Sequence, residues 1–600
     1  MERLRIISRQ VLQSAPVSAE DGKVELTQED VMRMMNILQE FREGQEKLIV
    51  DGTIPNMTTF DMLLASKNEL GVPLRQEVDE MIKVQLEDGS LKVLDLLPGP
   101  WQDAKTLEQQ TEFLRAHSVA QMTGTDIFRY ADWQMRYGDR GLGSNIFAPK
   151  LQVLGTGAAQ RRVILPRVIL GDPADAERIS RTHVRKEGNF ESILLGSVIA
   201  TTDNEAWQQQ RRHLAEVFLP LSSLACIMPV SLSRAKLCAD RLQQKATRPE
   251  GGLQPVDMSD FLLHEAQAQL QLALLGAPES FMEATNAEIR AAFAGNPSKA
   301  RVGALGDAMK SLMEIARTDK TFALPSDGCP VRGPLSRAVQ NAGLSPAADY
   351  GNMLLILFAG HDTTGHTMTW LLFEMARHPD IQLEVQQEAD AFFASLDGKE
   401  PAYQDLGSGH LDLLDRCITE TLRMWPAVAS GTYRQLQFDD WVKGPGGEDV
   451  KLPRGTAIHI VNWSRHRNPD VWGPDVNDFN PRRNFNFQEL ARVGCPMAAV
   501  TPQSERFSPF AHAPRSCLGR NFAQMEMRLI ILSLLRRFTF SLAPPHDKLM
   551  TAKLGAVPRD GEWHGVNRAT MGPMNPEDGT QQSWGWRPAV GMQMNVTPRS

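Results

Sequence analysis

Cys517 is the residue of this sequence best placed to do chemistry. It stands just before a run, Asn521 to Phe538, in which Phe522, Met525, Leu529, Leu532 and Leu535 recur at helical spacing. A thiol at a helix start meets the positive end of the helix dipole. Arg515 and Arg520 add positive charge, so the pattern predicts a lowered thiol pKa and a share of thiolate. Phe510 and Phe522 flank the cysteine and would shield its sulfur from water. A shielded thiolate is a metal-ligand environment. A plain buried cysteine ahead of a helix fits the same residues, and on spacing alone both readings stand. The other cysteines (Cys226, Cys238, Cys329, Cys417 and Cys495) form no C-x-x-C pair, which excludes zinc ribbons and dithiol redox motifs. Six in 600 residues build no disulfide framework, so they read as reduced and structural.

A second chemical group lies in Ala359-Gly360-His361-Asp362-Thr363-Thr364. Ser345 can cap a helix here, Pro346 suits its first position, and Pro379 lies just past its end. Met353 to Phe358 are continuously apolar, so this helix is deeply buried. An acid and a hydroxyl in its middle are expensive unless used. The bland alternative has Thr363 bonding back to its own helix and Asp362 meeting an arginine. A further pair shares a helix face: Glu420 with Arg423. Alone it is an ordinary surface pairing.

Together these pieces resemble the cytochrome P450 family. Phe510, Arg515, Cys517 and Gly519 match the haem-binding loop F-x-x-G-x-R-x-C-x-G, and Phe522-Ala523 with Glu526 match the F-A-x-x-E that follows. Ala513 stands where the family has Gly, and a positive φ there would cost about 1 kcal/mol. Glu420-Thr-Leu-Arg423 with Met424-Trp425-Pro426 is similar to the family's E-x-x-R segment. Phe479-Asn-Pro-Arg-Arg483 is similar to the downstream motif that completes it, with Arg482 in the place of the usual acid. Asp362 and Thr363 fall in the oxygen-activating stretch A-G-x-D-T-T, and Trp207 with Arg211 matches W-x-x-x-R. Arg465 to Pro469 and Val471 to Pro474 follow a structural segment of the family.

The resemblance implies a mainly α fold with small β-sheets, a long central helix lying over a haem held by a Cys loop. In it Cys517 would be the axial ligand of the haem iron. Trp207, Phe510 and Gly519 would belong to the haem site, and Arg211, Arg434 and Arg515 would meet the propionates. Glu420, Arg423 and Arg483 would form a structural triad. Asp362 and Thr363 would deliver protons. Leu354, Phe358, Ala359, Val428, Ala429 and Ser430 match pocket-lining regions and are mostly apolar or small, which suggests a lipophilic substrate. The implied reaction is monooxygenation: one atom of O2 enters the substrate, with electrons from a separate reductase or ferredoxin. No G-x-G-x-x-G unit offers a built-in donor. Arg211, Arg212, Arg520 and Arg528 are the expected basic docking patch for that donor. An isomerase, dehydratase or peroxygenase of the same fold stays open, as does a haem carrier without turnover.

These elements sit in a chain of 600 residues, 42% hydrophobic and 23% charged, which is a globular composition. A net charge of −8 without a basic stripe argues against nucleic acid. No run of 18 uncharged apolar residues predicts a transmembrane anchor, and the Arg-rich start lacks a secretory h-region. The chain thus reads as cytoplasmic or peripheral to a membrane, with organellar targeting open. Residues 1–97 read as a helical extension outside the resemblance. There Thr27 caps a helix with an apolar stripe of Val31, Met34, Met35, Leu38 and Phe41. Residues 98–600 read as one catalytic domain, with an insertion near 556–585. Its strands are expected to be few: Arg162 to Leu170, Ala457 to Val461 and a terminal pair within Ala589 to Val596.

Overall fold

The computed structural model describes residues 95–154, 161–187, 196–218, 221–275, 343–490, 504–549 and 591–599, less single positions within them, and a few of residues 80–87. The expected helix at Thr27 and the insertion at 556–585 lie outside the described residues. The chain divides into two compact units. One takes its described residues from the stretch ending at Glu187 and from Ser430–Asp470; the other comprises Gly188–Ala429 and Val471–Ser600.

The first unit returns to itself after more than 240 residues. Its helices are α1 (Leu107–Thr123), α2 (Asp126–Tyr137) and α3 (Pro173–Thr182). Asp172 caps α3 by accepting the Asp175 N–H at 3.0 Å, and Pro173 takes the first position. Strands β1 (Ile146–Phe147), β4 (Arg167–Leu170), β9 (Ala457–Ile460) and β6 (Thr432–Gln435) lie side by side in that order. β4 and β9 are parallel, with Val168 opposite Ile458 and Leu170 opposite Ile460, whereas β6 runs antiparallel to β9. Both central strands are buried along their whole length, Arg167 and His459 included. Hairpins β2 (Lys150–Leu154) with β3 (Arg161–Leu165), and β7 (Asp440–Lys443) with β8 (Asp449–Leu452), complete the unit. The sequence expected a single strand from Arg162 to Leu170; the structure breaks it into β3 and β4, which belong to different sheets.

The second unit is mostly helical. Its described helices are α4 (Asn204–Phe218), α5 (Leu221–Ala246), α6 (Met258–Leu270), α7 (Pro346–Arg377), α8 (Pro379–Ser395), α9 (Asp412–Met424) and α10 (Arg520–Leu535). α7 begins at Pro346 and stops before Pro379, as its punctuation predicts. α6 packs closely along α7 because glycines face it. A Cβ on Gly365 would stand 2.9 Å from the Leu263 Cα, and one on Gly360 would stand 2.7 Å from a Leu270 methyl. α10 is shorter than the sequence pattern suggests. It ends at Leu535, and Phe538 opens strand β10 (Phe538–Leu542) instead. β10 pairs with β11 (Gln593–Pro598), whose other edge pairs with β5 (Val256–Asp257). The terminal segment therefore forms one strand of a three-stranded sheet and not a pair of its own, because its partners come from distant parts of the chain.

Candidate functional site

Cys517 lies in the turn that leads into α10. Its N–H donates to the Phe510 carbonyl at 2.8 Å, which closes the loop over seven residues of sequence. The loop carries one strained residue, and it is Ala511, with φ 59°, not Ala513. The expected strain at Ala513 is absent because the left-handed turn falls two residues earlier.

The thiol is pushed up, not down. Burial raises it more than the Gly519 N–H, the Arg520 and Arg211 guanidiniums and the Arg520 N–H lower it. The helix-dipole argument from the sequence underweighted desolvation. Even so, the cysteine itself keeps an open surface. The surrounding protein desolvates the sulfur although the residue is not covered over. Cys238 and Cys417, by contrast, are fully buried, and burial pushes both well up; they are inert packing thiols.

Two arginines bracket the loop. Arg211, on α4, donates to the Ser516 carbonyl at 2.8 Å and to its hydroxyl at 3.3 Å. Among the described residues it meets no carboxylate, and burial followed by the nearby Arg520 charge lowers its pKa. Arg515 lies over the Trp207 ring at 4.5 Å, and reaches the Thr201 carbonyl at 3.4 Å. Trp207 is itself buried on α4, so one turn of this helix steers both arginines. Arg434 belongs to the other unit, on β6. It is fully buried, donates to the Tyr433 carbonyl at 2.9 Å and to the Ser180 hydroxyl at 3.3 Å, and its Nε has no partner. Burial alone pushes it down to about 10.

On α7, Asp362 is buried while Ala359, Gly360, His361 and Thr363 are only half-buried. The middle of a core helix thus opens on one side. Thr363 donates its hydroxyl to the Ala359 carbonyl at 2.8 Å, as the bland alternative foresaw. Asp362 meets no arginine among the described residues. Its basic neighbour is His366, 3.7 Å away. Of the expected pocket residues, Ala359 is half-buried, Ala429 fully buried, and Val428 and Ser430 intermediate; Leu354 and Phe358 lie on α7, with side chains outside the described set.

Glu420, Arg423 and Arg483 are brought together. Glu420 takes two hydrogen bonds of 2.7 Å from Arg423, with both side chains fully buried, and Arg483 reaches Glu420 at 3.3 Å. The sequence missed the outer members of this cluster. Arg483 also holds Asp475 at 2.8 Å and the Trp472 carbonyl at 2.7 Å, and the Asn480 N–H donates to Glu420. The basic docking patch does not form as expected. Arg528 is fully buried in a two-pronged pair with Asp415 at 2.6 and 2.9 Å. Arg520 is buried and donates to the Cys517 carbonyl. Only Arg212 of the four stands exposed.

The comparisons with known proteins agree with this geometry. The model of the family described as Cytochrome P450 matches residues 339–561, which include α7, the triad and the Cys517 loop. Over that stretch the chain is similar to the cytochrome P450 family. It is 30% identical over 213 residues to cytochrome P450 714A2 of Arabidopsis thaliana, covering 35% of this chain and 36% of that one. It is also 30% identical over 227 residues to the mitochondrial sterol 26-hydroxylase of Mus musculus, covering 38% and 39%. The chain thus matches a little over a third of the length of these curated relatives. A zebra fish cytochrome P450 structure with abiraterone is similar in fold, with a TM-score of 0.51 at 18% identity, over 75% of this chain and 95% of that one. The cofactor of cytochromes P450 is haem with a cysteine thiolate on the iron. The residues present fit it: an exposed Cys517 whose sulfur is nonetheless desolvated, and a half-buried Arg211 guanidinium that meets no carboxylate among the described residues. Among the described residues no helix is long and apolar enough to cross a membrane.

Proposed function

We propose that this protein is a haem-thiolate monooxygenase that inserts one oxygen atom of O2 into a lipophilic small molecule, with electrons from a separate donor protein. The observation that carries the reading is Cys517: a desolvated yet open thiol, its loop closed by the Phe510 carbonyl, at the entry to α10. When bound, haem would supply the activation of dioxygen, and a thiolate ligand favours O–O cleavage. Cys517 would be that ligand. The Gly519 and Arg520 N–H groups reach its sulfur and favour the thiolate over the thiol. Arg211 and Arg515, steered by Trp207, would hold propionates.

Asp362 and Thr363 would handle protons. Thr363 spends its O–H on the Ala359 carbonyl, so its oxygen is oriented as an acceptor. Asp362 keeps one carboxylate oxygen without a hydrogen bond and therefore available for proton exchange. This acid–alcohol pair supports monooxygenation over an isomerase or dehydratase of the same fold, which has no proton to deliver to oxygen. Apolar or small residues at Ala359, Val428 and Ala429 support a lipophilic substrate.

The test is the carbon monoxide difference spectrum of the reduced, full-length protein. A strongly red-shifted Soret band in the wild type, lost in Cys517→Ala, is expected. An unshifted band, or a red-shifted band that survives Cys517→Ala, would overturn the assignment.

A further inference from the structure

His366 lies one helical turn beyond Asp362 on α7, so the two side chains share a face. The imidazole is fully buried, and its Nδ1 stands 3.7 Å from Asp362 Oδ1. Among the described residues neither ring nitrogen has a hydrogen-bond partner, and neither does Asp362 Oδ2. This is an expensive arrangement. A buried imidazole gives up its water at both nitrogens and recovers nothing unless a partner is in reach. A leucine would fill similar space without that cost, so packing alone does not account for a histidine here.

The surroundings narrow the choice of partner. α6 presents Leu263 and Leu270 to the neighbouring glycines of α7. The charged group that acts on the ring is Asp362: burial pushes His366 below its ordinary value, and Asp362 pulls it back. The ring is therefore neutral, with a single N–H to place. The gap of 3.7 Å exceeds a hydrogen bond, so one of the two side chains must turn for the Nδ1–H to reach the carboxylate.

We propose that His366 is the positioning residue of Asp362, directing its Nδ1–H at one carboxylate oxygen so that the other is held free for proton exchange. The inference rests on the monooxygenase reading, in which Asp362 handles protons. It makes His366 neither a ligand nor a proton donor to substrate. Which nitrogen carries the proton is then set by the carboxylate.

The tautomer is readable in the full-length protein in its reduced, carbon monoxide-bound form, which is diamagnetic, by NMR of isotope-labelled histidine nitrogens. The signal absent from His366→Leu is that of His366. It is expected to show the proton on Nδ1, and to change tautomer in Asp362→Ala. In turnover, His366→Leu is expected to divert several-fold more reducing equivalents to peroxide. His366→Asn, whose amide N–H reaches toward the place of Nδ1, is expected to restore coupling. A wild-type proton on Nε2, or coupling in His366→Leu equal to wild type, would overturn the proposal. Lack of the red-shifted carbon monoxide band would instead overturn the monooxygenase reading beneath it.

Discussion

Glu420 is the residue on which two arginines of the second unit converge. It carries Arg423 through two short hydrogen bonds, accepts the Asn480 N–H, and meets Arg483 at 3.3 Å. Glu420 and Arg423 have no solvent exposure, so water cannot replace what a substitution removes. Breaking a buried pair by deleting one partner costs about 3–5 kcal/mol, because the surviving charge stays desolvated. Glu420→Ala is therefore expected to lower stability by about that amount, seen as a fall in the denaturant midpoint. Arg482→Ala is the control. Its side chain is exposed and pairs with Glu384 at the surface, a contact worth at most about 1 kcal/mol. A Glu420→Ala loss no larger than the control's would mean that the triad does not carry the load its burial implies. The Glu420–Arg423 pairing was legible from local spacing, since E-x-x-R places its partners on one helix face, whereas Arg483 entered only through the family resemblance. The burial of Arg528 was not legible, because its partner Asp415 lies 113 residues earlier and nothing around Arg528 in sequence points to it. The same holds for Ala511, where only the traced loop shows which residue takes the left-handed turn.

At the scale of elements, the pairing of α6 with α7 decides how the Asp362 segment is held. Two glycines permit the close approach, and they differ in what they face. A Cβ at Gly365 would meet the Leu263 backbone, at 2.9 Å from its Cα and 3.1 Å from its nitrogen. A Cβ at Gly360 would meet the ends of the Leu270 side chain, which can turn away. Alanine in mid-helix gains about 1 kcal/mol over glycine in either place. Overpacking against backbone costs about 1–3 kcal/mol and at Gly365 exceeds that gain. Gly365→Ala is thus expected to destabilise the protein, while Gly360→Ala is expected to be neutral or slightly stabilising. Thermal or denaturant unfolding of both variants checks this, and equal effects would mean that α6 shifts as a body. Proline and periodicity made α7 legible to within a residue at each end. The small sheets were harder to see. β4 and β9 are parallel neighbours nearly 290 residues apart, and a short buried strand carries no alternation to mark its partner.

At the scale of the whole molecule, both units are closed by returning segments, and in the second unit the closing strand β11 is pinned by two titratable groups. His546 is fully buried, and its Nδ1 accepts the Gln593 N–H at 3.2 Å, which requires a neutral ring. Burial pushes it down to about 4. Asp257 accepts the Gly591 N–H at 3.1 Å while capping α6, and burial pushes it up to about 6. The signs are opposite. For His546 the unfolded chain binds the proton more readily, so stability falls as pH drops from about 6.5 to 4. For Asp257 the folded chain binds the proton more readily, so stability rises as pH drops from about 6 to 3.8. Each is worth about 3 kcal/mol at 1.36 kcal/mol per pKa unit, and over this window they nearly cancel. Removing one should unmask the other. Asp257→Asn is expected to steepen the acid loss of stability between pH 6 and 4, and His546→Gln to shallow or reverse it. Carboxylates remote from the two groups titrate in the wild type and in both variants and drop out of the comparison, whereas Asp260, whose charge acts on Asp257, responds to Asp257→Asn as part of the same site. The measurement is the unfolding free energy against pH for the three proteins. Parallel curves would show that neither group changes its proton affinity on folding, and that β11 is pinned by its ladder to β10 and not by these two side chains.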